Sequence, residues 1–430
     1  MRRLLRDALL SAALAAVYAA LARVSLAAAT AHHVVSSVWP PAGLAVFALV
    51  RFGLGLWPGV AAGAFLLNAS SGVSPAGALM IAAGNTAEAV IATWLLMRVA
   101  RMRRALDRVR DVLALVGFAG ELATMVAASV GVAALALTGA AAPASAARLW
   151  LVWWTGDAVG VVVMAPFLFT WTEPEHDVSP RRVRVVEEAA TFIALVGGAE
   201  LLFQRWPGFV YLLFPAVAWI ALRLGRRGAA TASAVIMVIA TWHTIRHEGP
   251  FTQFSPLGNL FALQLFLAVL AAKAMIFAAA RAEAAAGHAR VLATEARYRM
   301  LARNLPDACV VLYDRDIRLV LVEGPAVAAA GFVKEEVEGR TIAEIFDPDH
   351  ALALVVPFRI AFEQRTFEFE FSYAGRIYLV RVLPLAEPGQ PVAFGMALAL
   401  DITRRHQSER ELDEHRARLQ ALSRQLLAAQ

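Results

Sequence analysis

Cysteine is almost absent from this chain, and charged residues are scarce. Cys309 is the only cysteine among 430 residues, which excludes disulfide bonds within the chain and metal sites built from several thiolates. Only 17% of the residues are charged and 59% are hydrophobic, whereas an ordinary soluble domain is about 25% charged and about 45–50% apolar. The composition therefore indicates a membrane protein.

The apolar residues lie in ten stretches within the first 280 residues. A spanning helix needs about 20 apolar residues, and four of the stretches are shorter, so each short pair is either two tilted helices or one broken, re-entrant element. The sequence thus predicts a polytopic α-helical membrane domain of eight to ten spans, or six if both pairs are broken. The stretches are 8–28, 38–50, 55–68, 76–97, 111–137, 149–171, 187–204, 208–222, 229–243 and 257–280.

Arginines are segregated between alternate loops. One set of alternate loops contains clusters of arginines, whereas each loop of the other set contains at most one arginine (Arg148, Arg205 and Arg246). By the positive-inside rule, both termini and the domain after residue 280 are cytoplasmic. Because the positive charge follows membrane topology, the net charge of +6 predicts a lipid bilayer as partner and no nucleic acid. The clusters on the inner side are Arg2, Arg3 and Arg6; Arg51; Arg98, Arg101, Arg103, Arg104, Arg108 and Arg110; Arg181, Arg182 and Arg184; and Arg223, Arg226 and Arg227.

Five polar residues stand out inside the apolar stretches. A charge there costs about 2.5–3.5 kcal/mol on insertion scales, so each one needs a reason. One interpretation is a polar cavity that binds a small molecule, an ion or a proton; the other is hydrogen bonding between helices, with some carboxyls protonated. The five are Asn85, Glu88, Glu121, Asp157 and Glu200.

Asp157 has neighbours that favour a binding site. Three tryptophans, the last of them Trp154, precede it, and Gly156 and Gly160 permit close approach of another helix. A carboxylate beside indoles can hold a cation or an amine, although an aromatic belt at the outer interface also explains the tryptophans. We expect its partner on the fourth span. The candidate ligand or membrane-sensing residues are Asp157, Glu88, Asn85, Trp154, Trp39 and Glu121.

Three segments in this region resemble a known family. The segments WPPAGLAVFALVRFGLGLWPGVAAGAFLLN, from Trp39, and WWTGDAVGVVVMAPFLF, from Trp153, together with GNTAEAV between them, resemble the membrane-associated sensor family of the first type. The resemblance covers about residues 1–280. It implies a sensor domain in the bacterial inner membrane that precedes histidine kinases or cyclic-dinucleotide enzymes, and it does not imply a stimulus.

The region 296–403 resembles a PAS domain throughout. Its sequence predicts two short strands (309–313 and 319–322), helical pieces, and three antiparallel strands (366–373, 376–383 and 392–400). This order implies an α+β fold with an antiparallel sheet. The closing residues Asp401 and Thr403 are candidates for signal relay.

Cofactors and metals have little support in this sequence. Cys309 falls on a core strand, where a small packed residue is the commoner role, and His350 lies in a polar turn. His243 and His247 stand four apart, but without a cysteine or carboxylate at ligand spacing they do not predict a metal site. We therefore predict no cofactor and no metal, and the ligand of the PAS domain stays unknown.

In the C-terminal 27 residues, leucines recur at every seventh position. Leu412, Leu419 and Leu426 predict a parallel coiled coil that relays the signal and forms a homodimer; the alternative is an amphipathic helix packed on its own PAS domain. The run ARLQALSRQLLAAQ also resembles the segment that leads into the phosphoacceptor helix of one histidine kinase class.

The organisation predicts the input half of a sensor. We expect a membrane sensor domain at 1–280, a helical linker at 281–295, a PAS domain at 296–403 and a coiled-coil helix at 404–430. No catalytic motif occurs in 1–430, so the expected output, a histidine kinase domain, lies outside these residues. The alternatives are a PAS-regulated transporter and a scaffold that recruits a separate kinase.

Overall fold

The chain forms two compact units, residues 1–287 and 288–430. The structure is a computed structural model that describes residues 2–27, 37–140, 142–173, 181–386 and 390–428. The first unit is helical, and the second contains a β-sheet with flanking helices.

The membrane unit consists of long helices and shorter pieces between them. Six of the described segments are long and apolar enough to cross a membrane: Leu5–Ala27, Pro75–Val99, Val109–Leu137, Ala146–Thr172, Pro207–Thr252 and Leu257–Arg303. Two apolar helices are shorter, Pro40–Phe52 and Leu54–Ser70. The helices are α1 (Arg2–Ala27), α2 (Pro40–Phe52), α3 (Trp57–Ser70), α4 (Pro75–Trp94), α5 (Val109–Ala114), α6 (Thr124–Leu137), α7 (Ala146–Thr172), α8 (Arg181–Gln204), α9 (Leu213–Ile245) and α10 (Pro256–Arg303).

Helix α9 is bent sharply at one residue. Gly225 has φ 71° and ψ −157°, a non-helical conformation that divides α9 into two arms, and it is a conformation that glycine adopts readily because it lacks a Cβ. Each arm contains one of the short stretches predicted at 208–222 and 229–243. Each of the ten predicted stretches therefore falls on a helix or on one arm of α9.

Two segments of the membrane unit are π-helices. Leu95–Val99 continues α4, and Leu115–Ala123 joins α5 to α6, so that 109–137 is one helical rod. π-helical turns are rare and occur often at functional sites, and they rotate the side chains that follow relative to an α-helix.

Glycines bring the helices of the membrane unit into close contact. An ideal Cβ on Gly160 of α7 would lie 1.9 Å from the carbonyl oxygen of Trp39, and one on Gly43 of α2 would lie 2.3 Å from the carbonyl oxygen of Gly160. Gly59 of α3 similarly faces the backbone of α1. Since the helices touch backbone to backbone at these points, no larger residue fits there.

The second unit is an antiparallel five-stranded sheet in the order β2-β1-β5-β4-β3. The predicted strands are confirmed, with ends that differ by at most two residues. The strands are β1 (Ala308–Tyr313), β2 (Leu319–Glu323), β3 (Phe367–Tyr373), β4 (Arg376–Leu385) and β5 (Phe394–Asp401); the helices are α11 (Pro325–Ala329), α12 (Lys334–Val337), α13 (Ile342–Ile345), α14 (Pro348–Ile360) and α15 (Thr403–Ala428).

One face of this sheet forms the core of the second unit. Tyr313 of β1 is fully buried, stacks on Phe358 of α14 with ring centroids 4.6 Å apart, and donates a hydrogen bond to the Phe358 carbonyl oxygen at 2.9 Å. Asp314 closes the turn after β1, because its Oδ1 accepts from the backbone N–H groups of Asp316 and Arg318. The helices between β2 and β3 thus cover the sheet.

We predict that Gly160→Ala destabilises the membrane unit. The added methyl would overlap the Trp39 carbonyl, and overpacking of this kind costs about 1–3 kcal/mol. Thermal unfolding of the detergent-solubilised protein measures the loss. The matched control is Gly197→Ala in α8, where an added Cβ meets nothing within 4 Å; equal melting temperatures for the two variants would contradict the prediction.

Candidate functional site

A group of polar side chains is buried where α1, α2, α4 and α7 meet. Tyr18, Asn85, Glu88 and Asp157 are each at most 6% exposed. The Tyr18 hydroxyl lies beside the side chains of Trp39 and Asn85, and Asp157 faces Glu88 and Trp153. These six residues are called the polar cluster below.

The two carboxyl groups of the polar cluster are incompletely paired. Glu88 and Asp157 interact with each other. However, one buried oxygen of each, Glu88 Oε1 and Asp157 Oδ2, has no hydrogen-bond partner among the described residues. Buried polar atoms are nearly always satisfied, so two such acceptors at one place suggest room for a cation, a proton or a donor group.

The polar cluster lies beside the first residues of α2. The backbone N–H of Trp39 donates to the Gly156 carbonyl oxygen at 3.0 Å, and Pro40 and Pro41 begin α2, where proline is favoured because its missing N–H is not needed. Gly156 and Gly160 lie near the middle of the 27-residue helix α7. Helix α2 therefore begins at mid-depth, and its N-terminus presents the positive end of a helix dipole beside Asp157.

Gln264 of α10 hydrogen-bonds to the two chain segments that lead into the polar cluster. It is fully buried, its Nε2 donates to the carbonyl oxygens of Ser37 (2.8 Å) and Val152 (3.1 Å), and its Oε1 accepts from Thr155 Oγ1 at 2.5 Å. One amide thus holds α10 against both the chain that leads into α2 and the α7 turn before Asp157.

The tryptophans before Asp157 attach α7 to the helical rod 109–137. Trp150 Nε1 donates to Ser129 Oγ at 3.0 Å, and Trp154 Nε1 donates to the backbone oxygen of Glu121 at 2.9 Å. The two indoles stack with centroids 5.4 Å apart. Trp154 therefore lies outside the polar cluster. The side chain of Glu121 is exposed on the surface of the unit and does not reach Asp157 or Glu88.

His243 occupies a second polar site, where the fold brings two carboxylates to it. It is buried, with Nε2 2.9 Å from Glu200 Oε2 and Nδ1 2.9 Å from Glu248 Oε2. A neutral imidazole has only one N–H, so the two contacts need an imidazolium or a protonated carboxyl. In the described parts of the chain, no three His, Cys, Asp or Glu side chains are arranged so that they could hold a metal ion.

The PAS unit contains an apolar cavity of about 110 Å³. Its walls include Val311, Leu354, Phe371 and Ala397, and the atoms that face it are apolar. Typical ligand sites measure about 300–1,000 Å³ and contain a few polar groups. The cavity suits a small apolar molecule better than a flavin or a haem. That no cofactor binds here stays a prediction, and the small size of the cavity is the physical reason for it.

Cys309 and His350 have the environments of structural residues. Burial raises the pKa of the Cys309 thiol, which lines the cavity, to about 11, so the thiol is protonated and unreactive at neutral pH. His350 Nδ1 lies 2.6 Å from Asp347 Oδ2. The backbone and side-chain hydrogen bonds from His350 keep the pKa of the Asp347 carboxyl below its usual value.

A buried carboxylate connects the end of α10 with the sheet of the PAS unit. Glu323 of β2 is 3% exposed; its Oε2 accepts from Arg303 Nε at 2.8 Å, and its Oε1 accepts from Lys334 Nζ. Burial favours the neutral acid, but the hydrogen bonds from Arg303 and Lys334 outweigh it and lower the pKa of Glu323. The pair fixes the last residue of α10 to the core.

Asp401 and Thr403 connect the sheet to α15. Asp401 Oδ1 accepts from the backbone N–H of Thr403 at 2.9 Å and from its hydroxyl at 2.5 Å, and Thr403 Oγ1 accepts from the backbone N–H of Ile377 in β4. On α15, Leu412 and Leu419 are 52% and 66% exposed. The side chain of Leu426 lies outside the described residues. The relay role of these residues stays a prediction.

Comparison with known families identifies both units. The MASE1 family model matches residues 10–285 and the PAS fold model matches residues 302–407. A multi-pass helical membrane domain followed by a PAS domain defines the class of this protein. The chain belongs to the MASE1 family, which confirms both resemblances seen in the sequence.

Solved PAS structures are similar to the second unit. A PAS domain of an HTR-like protein from Haloarcula marismortui is 25% identical with a TM-score of 0.21, and the match covers 27% of this chain and 97% of that one. The PAS domain of Bordetella pertussis BvgS is 22% identical with a TM-score of 0.23, covering 29% and 97%. No curated protein matches the chain in sequence.

Sequence reasoning missed Tyr18, Gln264 and the partners of His243. Tyr18 and Gln264 are single uncharged polar residues in long apolar runs. A search for charged residues inside these runs does not find them. Glu200 and His243 are paired although they lie 43 residues apart in the sequence, on two different helices. No local sequence pattern predicts this pair.

We predict that Glu323→Gln destabilises the PAS unit by about 1–3 kcal/mol, because it leaves Arg303 and Lys334 with a weaker acceptor. Since the folded-state pKa is lowered, the stabilisation is present at neutral pH and is lost as the pH falls below about 4. Thermal unfolding across a pH series tests this. Glu368→Gln, which breaks the exposed Arg381–Glu368 pair, should change stability by less than about 1 kcal/mol; an equal effect would refute the prediction.

Proposed function

We propose that this chain is the membrane-bound sensory input module of a bacterial signalling protein. A small cation, an amine or a proton acts at the polar cluster, the change passes along α10, and the PAS unit and α15 transmit it. The output is a histidine kinase domain outside residues 1–430, and the module resides in the inner membrane with both termini in the cytoplasm. MASE1 membership and the arginine segregation support this proposal.

The observation that supports it best is the pair of unpartnered carboxyl oxygens, Glu88 Oε1 and Asp157 Oδ2. An arrangement that only joined helices would satisfy its own acceptors. A bound cation or proton would satisfy them here, and the N-terminus of α2 would respond to any change of charge.

The connection from this site to α10 supports the relay. Gln264 hydrogen-bonds to the chain before α2 and to α7, on either side of the polar cluster, and α10 continues to Arg303. A shift of α2 against α7 would therefore alter the hydrogen bonds that hold α10. Signalling needs two such packings of similar free energy, between which the stimulus selects.

A PAS-regulated transporter is the second candidate, because α2 begins at mid-depth, as the discontinuous helices of transporters do. Uptake of a labelled ion into vesicles that contain the protein distinguishes it from a sensor. A third candidate is a scaffold that recruits a separate kinase through α15; it predicts that a kinase binds the intact protein in a way that depends on α15.

We predict that Asp157→Asn abolishes the response while the protein still inserts and folds. The amide keeps the shape of the side chain but removes the charge that would bind a cation or proton. The measurement is the signalling output of the intact gene at equal expression. The second measurement is the thermal stability of the solubilised protein across a pH series and with added sodium or potassium ions.

Glu200→Gln is the matched control, because it neutralises a membrane carboxyl outside the polar cluster. It should leave the dependence on these ions unchanged. A wild-type response from Asp157→Asn would contradict the ligand-site proposal and would mean that Asp157 is a structural residue.

We also propose that α15 forms a parallel homodimer, with Leu412 and Leu419 at its seam. Leu419→Asp should convert the soluble fragment that begins near Thr294 from dimer to monomer in sedimentation, because a charge at the seam has no partner. Gln420→Asp, on the neighbouring exposed position, should leave the dimer intact. An unchanged mass for Leu419→Asp would mean that the helix packs elsewhere.

A further inference from the structure

Two side chains of opposite charge face outward from the apolar helices of the membrane unit. Glu121 lies on the π-helical part of the rod 109–137, and Lys273 lies on α10; both are exposed. The side-chain carboxyl of Glu121 has no charged or hydrogen-bonding partner among the described residues. The contact that the structure gives Lys273 is with the Phe214 ring, 5.3 Å from Nζ, and no ion pair joins it to any described carboxylate.

The two charges lie at nearly the same depth. The backbone N–H of Val109 donates to Glu283 Oε2 at 3.3 Å, which aligns the start of the rod with α10. Lys273 precedes Glu283 by ten residues, and Glu121 follows Val109 by twelve. At 1.5 Å per residue these are about 15 Å and at most about 18 Å along the helices, in the same direction.

That depth is near the middle of a hydrocarbon layer about 30 Å thick. Each charge exposed there costs about 2.5–3.5 kcal/mol on insertion scales. Lipid phosphates lie at the membrane surface and do not reach it. A protein partner with the opposite charge at the same level is therefore the occupant that removes both costs.

A second copy of this chain meets the depth requirement. Two copies inserted with the same topology hold a given residue at the same level, so only residues of equal depth can meet between them. The surfaces also fit: Lys273 lies in a groove lined by Phe214, Val217 and Phe277, while Gly117, one turn before Glu121, has nothing within 4 Å of an added Cβ and permits close approach.

We propose that two copies of this chain associate within the membrane through an ion pair between Glu121 of one copy and Lys273 of the other. The interface is separate from the seam on α15. It places the rod 109–137 of one copy against the groove between α9 and α10 of the next, so that the helix leaving the membrane belongs to the contact.

Cross-linking between differently tagged copies of the full chain tests the proposal, in a Cys309→Ser background. One copy carries Leu122→Cys, next to Glu121, and the other carries Phe277→Cys, one helical turn from Lys273, so that the two thiols differ in depth by at most about 10 Å. A bifunctional maleimide with a short spacer is used, because residues flanking an ion pair need not reach disulfide distance. We expect several-fold more product than from Leu113→Cys with Leu265→Cys, which are both 54% exposed but lie at different depths.

Charge reversal distinguishes an ion pair from mere proximity. When both copies carry Glu121→Lys, or both carry Lys273→Glu, like charges oppose each other and cross-linking should fall to the level of the control pair. When both copies carry the two changes together, the pair is restored and the yield should recover. If a reversed variant fails to insert, the neutral changes Glu121→Gln and Lys273→Met replace it. Each neutral change should reduce the cross-linking yield, and combining the two should not restore it. A yield no higher than the control, or a yield that ignores the charges, overturns the proposal.

Discussion

The membrane unit depends on the contact between the start of α2 and the middle of α7. Only because residue 160 lacks a side chain can the Trp39 carbonyl lie against α7 and the Trp39 N–H reach the Gly156 oxygen. This contact begins a helix at mid-depth, and the Pro40–Pro41 pair makes that beginning favourable. It thereby sets a helix N-terminus beside two carboxyls in a place that water does not easily reach.

In our proposal, the charge in the polar cluster therefore controls the packing of α2 against α7. Removal or addition of one positive charge between Glu88 and Asp157 would change the electrostatic energy of the pair, and such a change is larger in a low-dielectric interior than in water. The neighbouring backbone contact is tight, so a shift of α2 against α7 would have to break the hydrogen bond from the Trp39 N–H to the Gly156 oxygen. In the proposed relay, Gln264 would pass such a movement to α10, because it hydrogen-bonds both to Ser37, before α2, and to Val152 of α7.

Most of the fold was predictable, whereas only part of the site was. Apolar stretches and segregated arginines predict the helices because lipid imposes length and charge rules, and alternating residues predict the PAS strands because one face of the sheet is buried. Glu88 and Asp157 stand out as charges in apolar runs, but their ligand role stays untested. Tyr18 and Gln264 could not be assigned, since a lone polar residue shows no partner. Glu121, another sequence candidate, is exposed on the π-helical part of the rod and does not reach these carboxyls, and hydrophobic periodicity does not record a π-helical turn.

The buried and the outward-facing charged residues of the membrane unit differ in where their partners lie. Glu88 and Asp157 face each other within one chain, while Glu121 and Lys273 face outward and need a second chain in our proposal. Trp154 connects the two sets, because it follows Trp153 of the polar cluster and its indole binds the backbone of Glu121. A rearrangement of α7 at the polar cluster would therefore shift the rod that presents Glu121. Association in the membrane and occupancy of the polar cluster would then be linked reciprocally, since both would depend on the packing of α7.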